Sequence, residues 1–261
     1  MKTLPKSFLA SLWILFACTS TAEIYAIRAG TTIDPAKGSV VKNQTILVED
    51  GVIKSIGTDR KVSSGAKVID LSKEWVMPGL MDAHTHLTLT ETTNAAPFES
   101  FYLTESTSYR ALRGMKNAEA LLNAGFTAIR DIGNMGDNAM TDVGRAVDKG
   151  LFTGPTIISS GKIIAPFGGQ SHNIPAEQGA FWRYEYVDAD GPNEIRKAVR
   201  QNIYYGARVI KLVLDNNPYH YTVEEVRTAV EEAHRAGIPV ATHVYGGKAL
   251  DVAIEAGVDS I

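Results

Sequence analysis

The chain has 261 residues, of which 44% are hydrophobic and 21% charged, and its formal net charge is −3 at pH 7. This balance is typical of a folded globular protein, large enough for one domain or for a barrel with a small companion. The slight negative charge, without a basic cluster along the chain, excludes an electrostatic case for nucleic-acid binding.

The first segment has the layout of a secretory signal peptide. Lys2 and Lys6 precede the apolar run 8–17, and small residues suited to cleavage follow at 20–22. The run is too short to span a bilayer as a permanent helix. We interpret residues 1–22 as a signal peptide and expect an exported, periplasmic or secreted protein. A buried core helix is the structural alternative.

The single cysteine, Cys18, ends this segment, so the mature protein would contain no disulfide. Residues 15–18, Leu-Phe-Ala-Cys, also resemble a bacterial lipoprotein processing site. A lipid anchor at Cys18 is therefore the alternative to soluble export. The sequence predicts no membrane span, and homo-oligomerisation stays open.

Residues 23–75 are predicted to form a small β-rich unit. Short apolar runs occur at 24–28, 45–48, 52–56 and 68–71. Asp50-Gly51 separates the second and third runs, and this dipeptide favours a hairpin turn. The segments are too short to form a large core alone.

Two histidines end the next apolar run, which follows Pro78-Gly79 and covers residues 80–86. We expect Leu80 to Ala83 to enter a buried strand. Alternate side chains of a strand share a face, so His84 and His86 would project together. Paired neutral imidazoles favour a transition-metal site, zinc above all. A hydrogen-bonded pair without metal is the alternative.

From residue 76 onward, apolar runs alternate with helical patterns, which predicts an α/β fold with parallel strands. The runs lie near 80–86, 127–131, 156–160, 209–214 and 240–244, with another beginning at 259. The helical patterns lie near 105–124, 139–149, 193–205, 222–236 and 247–256. The repeat suits a doubly wound sheet or a (β/α)8 TIM-type barrel. No Gly-x-Gly-x-x-Gly follows a strand, which disfavours the nucleotide-binding sheet.

Lys211 interrupts a run that should be buried on both faces, where an unpaired ammonium is costly. One interpretation is a lysine that reaches solvent or pairs with Asp131 or Asp215. The other is a carbamate, formed with carbon dioxide, which would bridge metal ions. Composition alone favours the unmodified lysine. Because histidines lie at the ends of other strands, we prefer the carbamate. His243 ends the run at 240 and is a natural third imidazole.

Three further residues are secondary candidates. His172 follows a Gly-rich loop after the third strand, and Tyr245 follows His243; both are substrate-binding candidates. Asp131 is a candidate to orient a ligand as a neighbouring carboxylate. A solvated loop histidine, a packed tyrosine and a helix cap are the respective alternatives.

The sequence Pro-Gly-Leu-Met-Asp-Ala-His-Thr-His at 78–86 resembles the first-strand signature of the amidohydrolase superfamily. Residues 209–215 and 239–247 look like its fourth and fifth barrel strands, and residues 23–75 look like part of its small β-sandwich. The resemblance is to the imidazolonepropionase-like and Xaa-Pro dipeptidase-like group. It implies an α/β fold with a TIM-type barrel in residues 76–261, incomplete after about strand six.

The resemblance also implies a role for each matching residue. His84 and His86 would bind the more buried of two divalent metal ions, zinc being the default. Lys211, as a carboxylysine, would bridge both ions, and His243 would bind the second. A metal-bridging hydroxide would then attack a carbon–nitrogen bond.

Two expected parts, a histidine at strand six and an aspartate at strand eight, have no counterpart before Ile261. We therefore interpret the chain as the N-terminal part of an amidohydrolase and expect it to be inactive alone. The predicted activity is hydrolysis of amide or peptide bonds, with a dipeptide or another small molecule as substrate. The alternatives are a cyclic amide or imidazolone hydrolase and a non-catalytic binding protein on a degenerate barrel.

Overall fold

The computed structural model describes residues 23–58, 61–89, 104–133, 135–171, 174–215 and 219–261. The predicted signal peptide with Cys18, and His172, lie outside these residues. The chain divides into two compact units between Pro78 and Gly79. Within the described ranges, no helix has both the length and the hydrophobicity that a bilayer crossing requires.

The first unit is a four-stranded sheet with the strand order β3-β2-β1-β4. Its strands are β1 (Ile24–Asp34), β2 (Ser39–Glu49), β3 (Val52–Gly57) and β4 (Lys67–Val76). The pairs β1–β2 and β2–β3 are antiparallel, whereas β4 lies parallel to β1. Asp50 and Gly51 form the predicted hairpin turn with φ of 49° and 74°, as a tight two-residue loop requires.

The second unit has an α/β architecture in which every strand pair is parallel. Its strands are β5 (Leu80–Thr85), β6 (Phe126–Asp131), β7 (Thr156–Ser159), β8 (Ile163–Ala165), β9 (Tyr186–Asp188), β10 (Ile210–Val213) and β11 (Val240–His243). They form the sheets β5-β6-β7 and β11-β10-β8-β9. Ser260 pairs with Ala241 as an isolated parallel bridge, where the sixth strand was expected to begin. The predicted α/β class and partial barrel are confirmed.

Helices alternate with these strands, as the sequence predicted. They are α1 (Thr107–Asn123), α2 (Ala139–Asp148), α3 (Pro192–Tyr204), α4 (Val223–Arg235) and α5 (Gly247–Ala256). The start of α4 is a capping box, because Thr222 accepts a hydrogen bond from the Glu225 amide while the Glu225 carboxylate accepts one from the Thr222 amide.

The third barrel strand differs from the prediction because it is interrupted between β7 and β8. β7 pairs with β6, which ends at Asp131. The edge of β8 that follows is therefore free to pair with another strand. The short strand β9, which the sequence did not indicate, pairs there with β8. Gly161 lies in the interruption with φ of 65°, a left-handed conformation that glycine adopts without strain.

The first strand of the second unit is also less buried than predicted. Leu80 and Met81 are exposed, Met81 to 78%. Among the described residues β5 pairs only with β6, so its other edge and its neighbouring side chains remain uncovered. The expectation of a buried strand from Leu80 to Ala83 is therefore wrong.

The side chains of β10 alternate between two packed layers. Ile210 and Leu212 pack in the main cluster beneath α3, α4 and α5. Val209, which precedes the strand, instead packs with Ala241 and Ile132 on the opposite face. All four residues of β10 are buried, which explains why its sequence is apolar except at Lys211. Lys211 therefore lies on the inner face, away from the helices.

Candidate active site

The two histidines of the first strand lie side by side. The ring centroids of His84 and His86 are 5.1 Å apart and the rings meet edge to face, as the alternation of a strand predicted. His86 Nδ1 lies 2.9 Å from the carbonyl oxygen of Gly133. A carbonyl oxygen only accepts, so Nδ1 carries the proton in this contact and Nε2 is left with its lone pair.

Lys211 is 2% exposed, and its Nζ has no hydrogen-bond partner among the described residues. Neither Asp131 nor Asp215 forms the ion pair that the simpler interpretation required. Burial, with the nearby positive charge of Arg130, lowers the pKa of Lys211 to about 8. Burial of an unpaired ammonium is costly and favours the neutral amine, and modification of that amine to an anion would be stabilised by a nearby positive group.

His243 ends β11 beside the end of β10, where it pairs in register with Val213. Its Nε2 lies 3.9 Å from Asp215 Oδ1, too far for a hydrogen bond. The other carboxylate oxygen of Asp215 accepts a 2.6 Å hydrogen bond from the Tyr245 amide. The Tyr245 ring packs edge-on against His243, with centroids 4.4 Å apart, and is 78% exposed.

Electrostatic interactions show that these groups share one region. Partial desolvation, followed by the charge of Lys211, lowers the pKa of His84 to about 4. Burial and the same charge lower the pKa of His86 and of His243, although the Gly133 carbonyl opposes the shift at His86 and Asp215 opposes it at His243. The three imidazoles are therefore neutral at pH 7, the form that binds metal ions.

Asp131 lies at the end of β6, fully buried, and among the described residues no hydrogen bond joins it to a histidine ring. Its Oδ2 accepts a 2.7 Å hydrogen bond from the backbone amide of Leu87, the residue after His86. Desolvation raises the pKa of Asp131 to about 8. Any influence of Asp131 on His86 therefore passes through the backbone. Its predicted role as an orienting residue stays a prediction.

The donor set is suited to metal ions only in part. Within the described ranges, no three His, Cys, Asp or Glu side chains are arranged to hold a metal ion. However, three buried polar atoms at the ends of β10 and β11 have no hydrogen-bond partner among the described residues: Lys211 Nζ, His243 Nε2 and Asp215 Oδ1. Buried polar atoms are normally paired, so Lys211 Nζ is suited to a bound group, whereas His243 Nε2 and Asp215 Oδ1 lie near each other. A carbamate on Lys211 would add the oxygen ligands that the histidines lack.

Sequence reasoning assigned no role to Gly133 or Arg130, and it offered Asp215 only as an ion-pair partner of Lys211. The signal for Arg130 was present, because a charged residue interrupts the apolar run 127–131 just as Lys211 interrupts its own. Gly133 carried no comparable signal, since its contact with His86 joins residues 47 positions apart.

Residues 75–261 match the model of the amidohydrolase family. The chain belongs to this family. The match includes every candidate site residue named above, from His84 to Tyr245, and it confirms the resemblance that the strand-end histidines indicated.

Three similar proteins illustrate the range of the family. The ochratoxinase of Aspergillus niger is 28% identical over 278 residues, covering 95% of this chain and 56% of its own length. The crystal structure of a Xaa-Pro dipeptidase with methionine bound in its active site is 28% identical, with a TM-score of 0.75 and coverage of 91% and 60%. The imidazolonepropionase of Brevibacillus brevis is 39% identical over 79 residues, covering 25% of this chain and 19% of the relative. The chain thus spans somewhat more than half the length of the first two.

Proposed function

We propose that this chain carries the larger part of the metal site of a hydrolase that cleaves carbon–nitrogen bonds. Lys211 carries the proposal: its buried amine has no partner among the described residues and acts electrostatically on His84, His86 and His243. We assign His84 and His86 to one divalent ion, His243 to a second, and a Lys211 carbamate to both. Zinc is the default metal for such ligands.

The chain's own residues would prepare this site in separate ways. The Gly133 carbonyl holds the proton of His86 on Nδ1 and leaves Nε2 for a metal ion. The depressed pKa of His84 keeps its imidazole available as a ligand at neutral pH. We assign the Tyr245 ring, which is exposed and packs against His243, to contact with the substrate. When bound, the ions supply Lewis acidity toward a substrate carbonyl and lower the pKa of water.

The favoured substrate class is a dipeptide or a related small amide. The support is the similarity over nine-tenths of this chain to a structure described as a Xaa-Pro dipeptidase and to an ochratoxinase. A cyclic amide or imidazolone is the second candidate, supported by the shorter match to an imidazolonepropionase. A binding protein without catalysis is disfavoured, because each ligand that the resemblance implies within this span is present.

The experiment that tests the proposal is elemental analysis of the purified full-length gene product. The wild type is compared with Lys211→Ala and with Lys197→Ala, an exposed lysine on α3 that serves as the matched control. We expect about two metal ions per chain in the wild type and in the control, as in two-metal hydrolases. The Lys211 variant should retain less than about half, because the bridging ligand is lost.

Absence of metal from the wild type, or equal metal in Lys211→Ala, would contradict the site. Given metal, a panel of Xaa-Pro and other dipeptides, N-acyl amino acids and imidazolones then assigns the substrate class. Turnover of imidazolones alone would favour the second candidate. No turnover of any substrate by a metal-loaded protein would favour the binding protein.

We also propose that residues 1–22 direct export. Fusion of these residues to a reporter that is active only outside the cytoplasm tests this. Cys18→Ala separates the two routes, because loss of membrane association in this variant would indicate a lipid anchor. An inactive reporter would contradict export.

A further inference from the structure

Arg130 lies on the same inner face of the barrel as Lys211. It pairs in register with Ile158, and neighbouring residues in register on parallel strands project to the same side. Ile158 packs against the inner cluster that includes Val209 and Ala241. Ala241 is in turn the register partner of Lys211. The two basic side chains therefore enter the same space from β6 and β10.

The guanidinium of Arg130 makes a hydrogen bond to the protein through its Nε. Its Nε donates a 2.6 Å hydrogen bond to the carbonyl of Ala83, the residue before His84. Among the described residues no carboxylate forms an ion pair with it. A guanidinium has five N–H donors, so most of its capacity remains for another acceptor.

Two neighbouring cations repel each other, and the burial of Lys211 strengthens the repulsion, although Arg130 is only partly buried. Arg130 is close enough for its charge to act on both Lys211 and His84. Asp131 and Asp215 each accept a backbone hydrogen bond through one oxygen, from the amides of Leu87 and Tyr245. Among the described residues neither carboxylate forms an ion pair with Arg130 or Lys211, so an anion at Lys211 would supply Arg130 with a counter-charge.

We propose that Arg130 is the counter-charge that stabilises a carbamate on Lys211, and thereby a positioning residue for the metal site. The inference rests on the proposed function, since it concerns the same carbamate. In its formation the lone pair of the neutral Lys211 amine forms a new N–C bond to carbon dioxide. One C–O π pair moves onto oxygen, and a proton leaves the nitrogen for solvent. A neutral amine thus becomes an anion, and Arg130 supplies the matching positive charge.

The test measures carbamate and metal rather than turnover. Metal-free full-length protein is titrated with zinc at increasing 13C-bicarbonate, with carbamate read by 13C NMR and zinc by elemental analysis. The variants are Arg130→Met, which removes the charge, Arg130→Gln, which keeps a donor for the Ala83 carbonyl, and Arg130→Lys, which keeps the charge. Arg28→Met, at an exposed strand position in the first unit, is the matched control.

We expect both neutral variants to need about tenfold more bicarbonate for half-maximal carbamate and zinc, consistent with loss of a partly buried charge interaction. Arg130→Lys should stay within about threefold of the wild type, and Arg28→Met should be unchanged. Saturating bicarbonate should restore zinc binding to the neutral variants, which a purely structural defect would not allow.

Wild-type bicarbonate dependence in Arg130→Gln, confirmed as folded by circular dichroism, would overturn the inference and leave the metal site intact. An altered KM with unchanged carbamate would do the same and indicate a substrate-binding role for Arg130. A wild type without carbamate would overturn the proposed function, and this role with it.

Discussion

His243 Nε2 faces Asp215 Oδ1 across 3.9 Å, and within the described part of the chain neither buried atom has a hydrogen-bond partner. The second oxygen of Asp215 is fixed by the Tyr245 amide at 2.6 Å, so the carboxylate has a defined orientation. A shift of about 1 Å would form an N–H···O bond of ordinary length. That bond would place the imidazole proton on Nε2 and leave Nδ1 for a metal ion.

Replacement of Asp215 by Ala should therefore weaken metal binding at the His243 side of the site. Loss of a carboxylate that orients a metal-binding histidine typically lowers affinity by about 10- to 100-fold. Zinc competition with a chromophoric chelator measures this change. Asp251→Ala, an exposed aspartate on α5, is the control and should leave affinity unchanged. Equal affinities in the two variants would mean that Asp215 serves only the Tyr245 backbone.

Gly133→Ala should disturb His86 directly. A Cβ at this position would lie 2.9 Å from His86 Nδ1 and 2.9 Å from Ile163 Cδ1, closer than real contacts allow. The Ile163 side chain and the His86 ring or its backbone must shift, so we expect zinc affinity to fall by about tenfold or more. Gly65→Ala is the matched control, because nothing lies within 4 Å of its Cβ. Unchanged zinc binding in Gly133→Ala would contradict the role of the Gly133–His86 contact.

The buried carboxyl of Asp131 predicts a pH dependence of stability. Its pKa rises from 3.8 to about 8 on folding, so the folded protein holds a proton that the unfolded chain releases between these values. The stabilisation is fully present below pH 3.8 and is lost as the pH rises to about 8, at a rate of roughly 1 kcal/mol per pH unit.

Asp131→Asn should flatten this part of the stability profile, measured by urea unfolding of metal-free protein between pH 5 and 8. The exposed Asp251→Asn should keep the wild-type slope. Parallel profiles for the wild type and Asp131→Asn would show that Asp131 does not bind the extra proton.

Leu212→Ala should lower the free energy of unfolding by about 2–5 kcal/mol, because a fully buried side chain leaves a cavity in the main cluster. Ile254→Ala on α5, where the side chain is 65% exposed, should cost less than about 0.5 kcal/mol. Chemical denaturation of both variants checks the difference. Similar losses would mean that the cluster beneath α3, α4 and α5 does not carry the stability of the second unit.

The sequence predicted the barrel segments because their signals are local. The period of β10, the capping box at Thr222 and the Asp50-Gly51 turn each depend on residues close in the chain. The inward direction of Lys211 follows from alternation within one strand. For the same reason, the side-by-side rings of His84 and His86 were predictable without knowledge of the remaining fold.

The features that sequence reasoning missed depend on distant partners. The strand β9 forms because its residues pair with the free edge of β8. A segment of only three residues is too short to show a periodic pattern that would predict this pairing. The exposure of Met81 reflects which edge of β5 is paired, not its own hydrophobicity. The contact of Asp215 with Tyr245 joins residues 30 positions apart.

The interruption after Ser159 divides the proposed ligands between two hydrogen-bonded sheets. His84 and His86 belong to β5-β6-β7, whereas Lys211 and His243 belong to β11-β10-β8-β9. A ligand shared by both groups would cross-link the two sheets. The free energy of metal binding to both groups would then stabilise the folded second unit. The same ions would therefore raise its melting temperature.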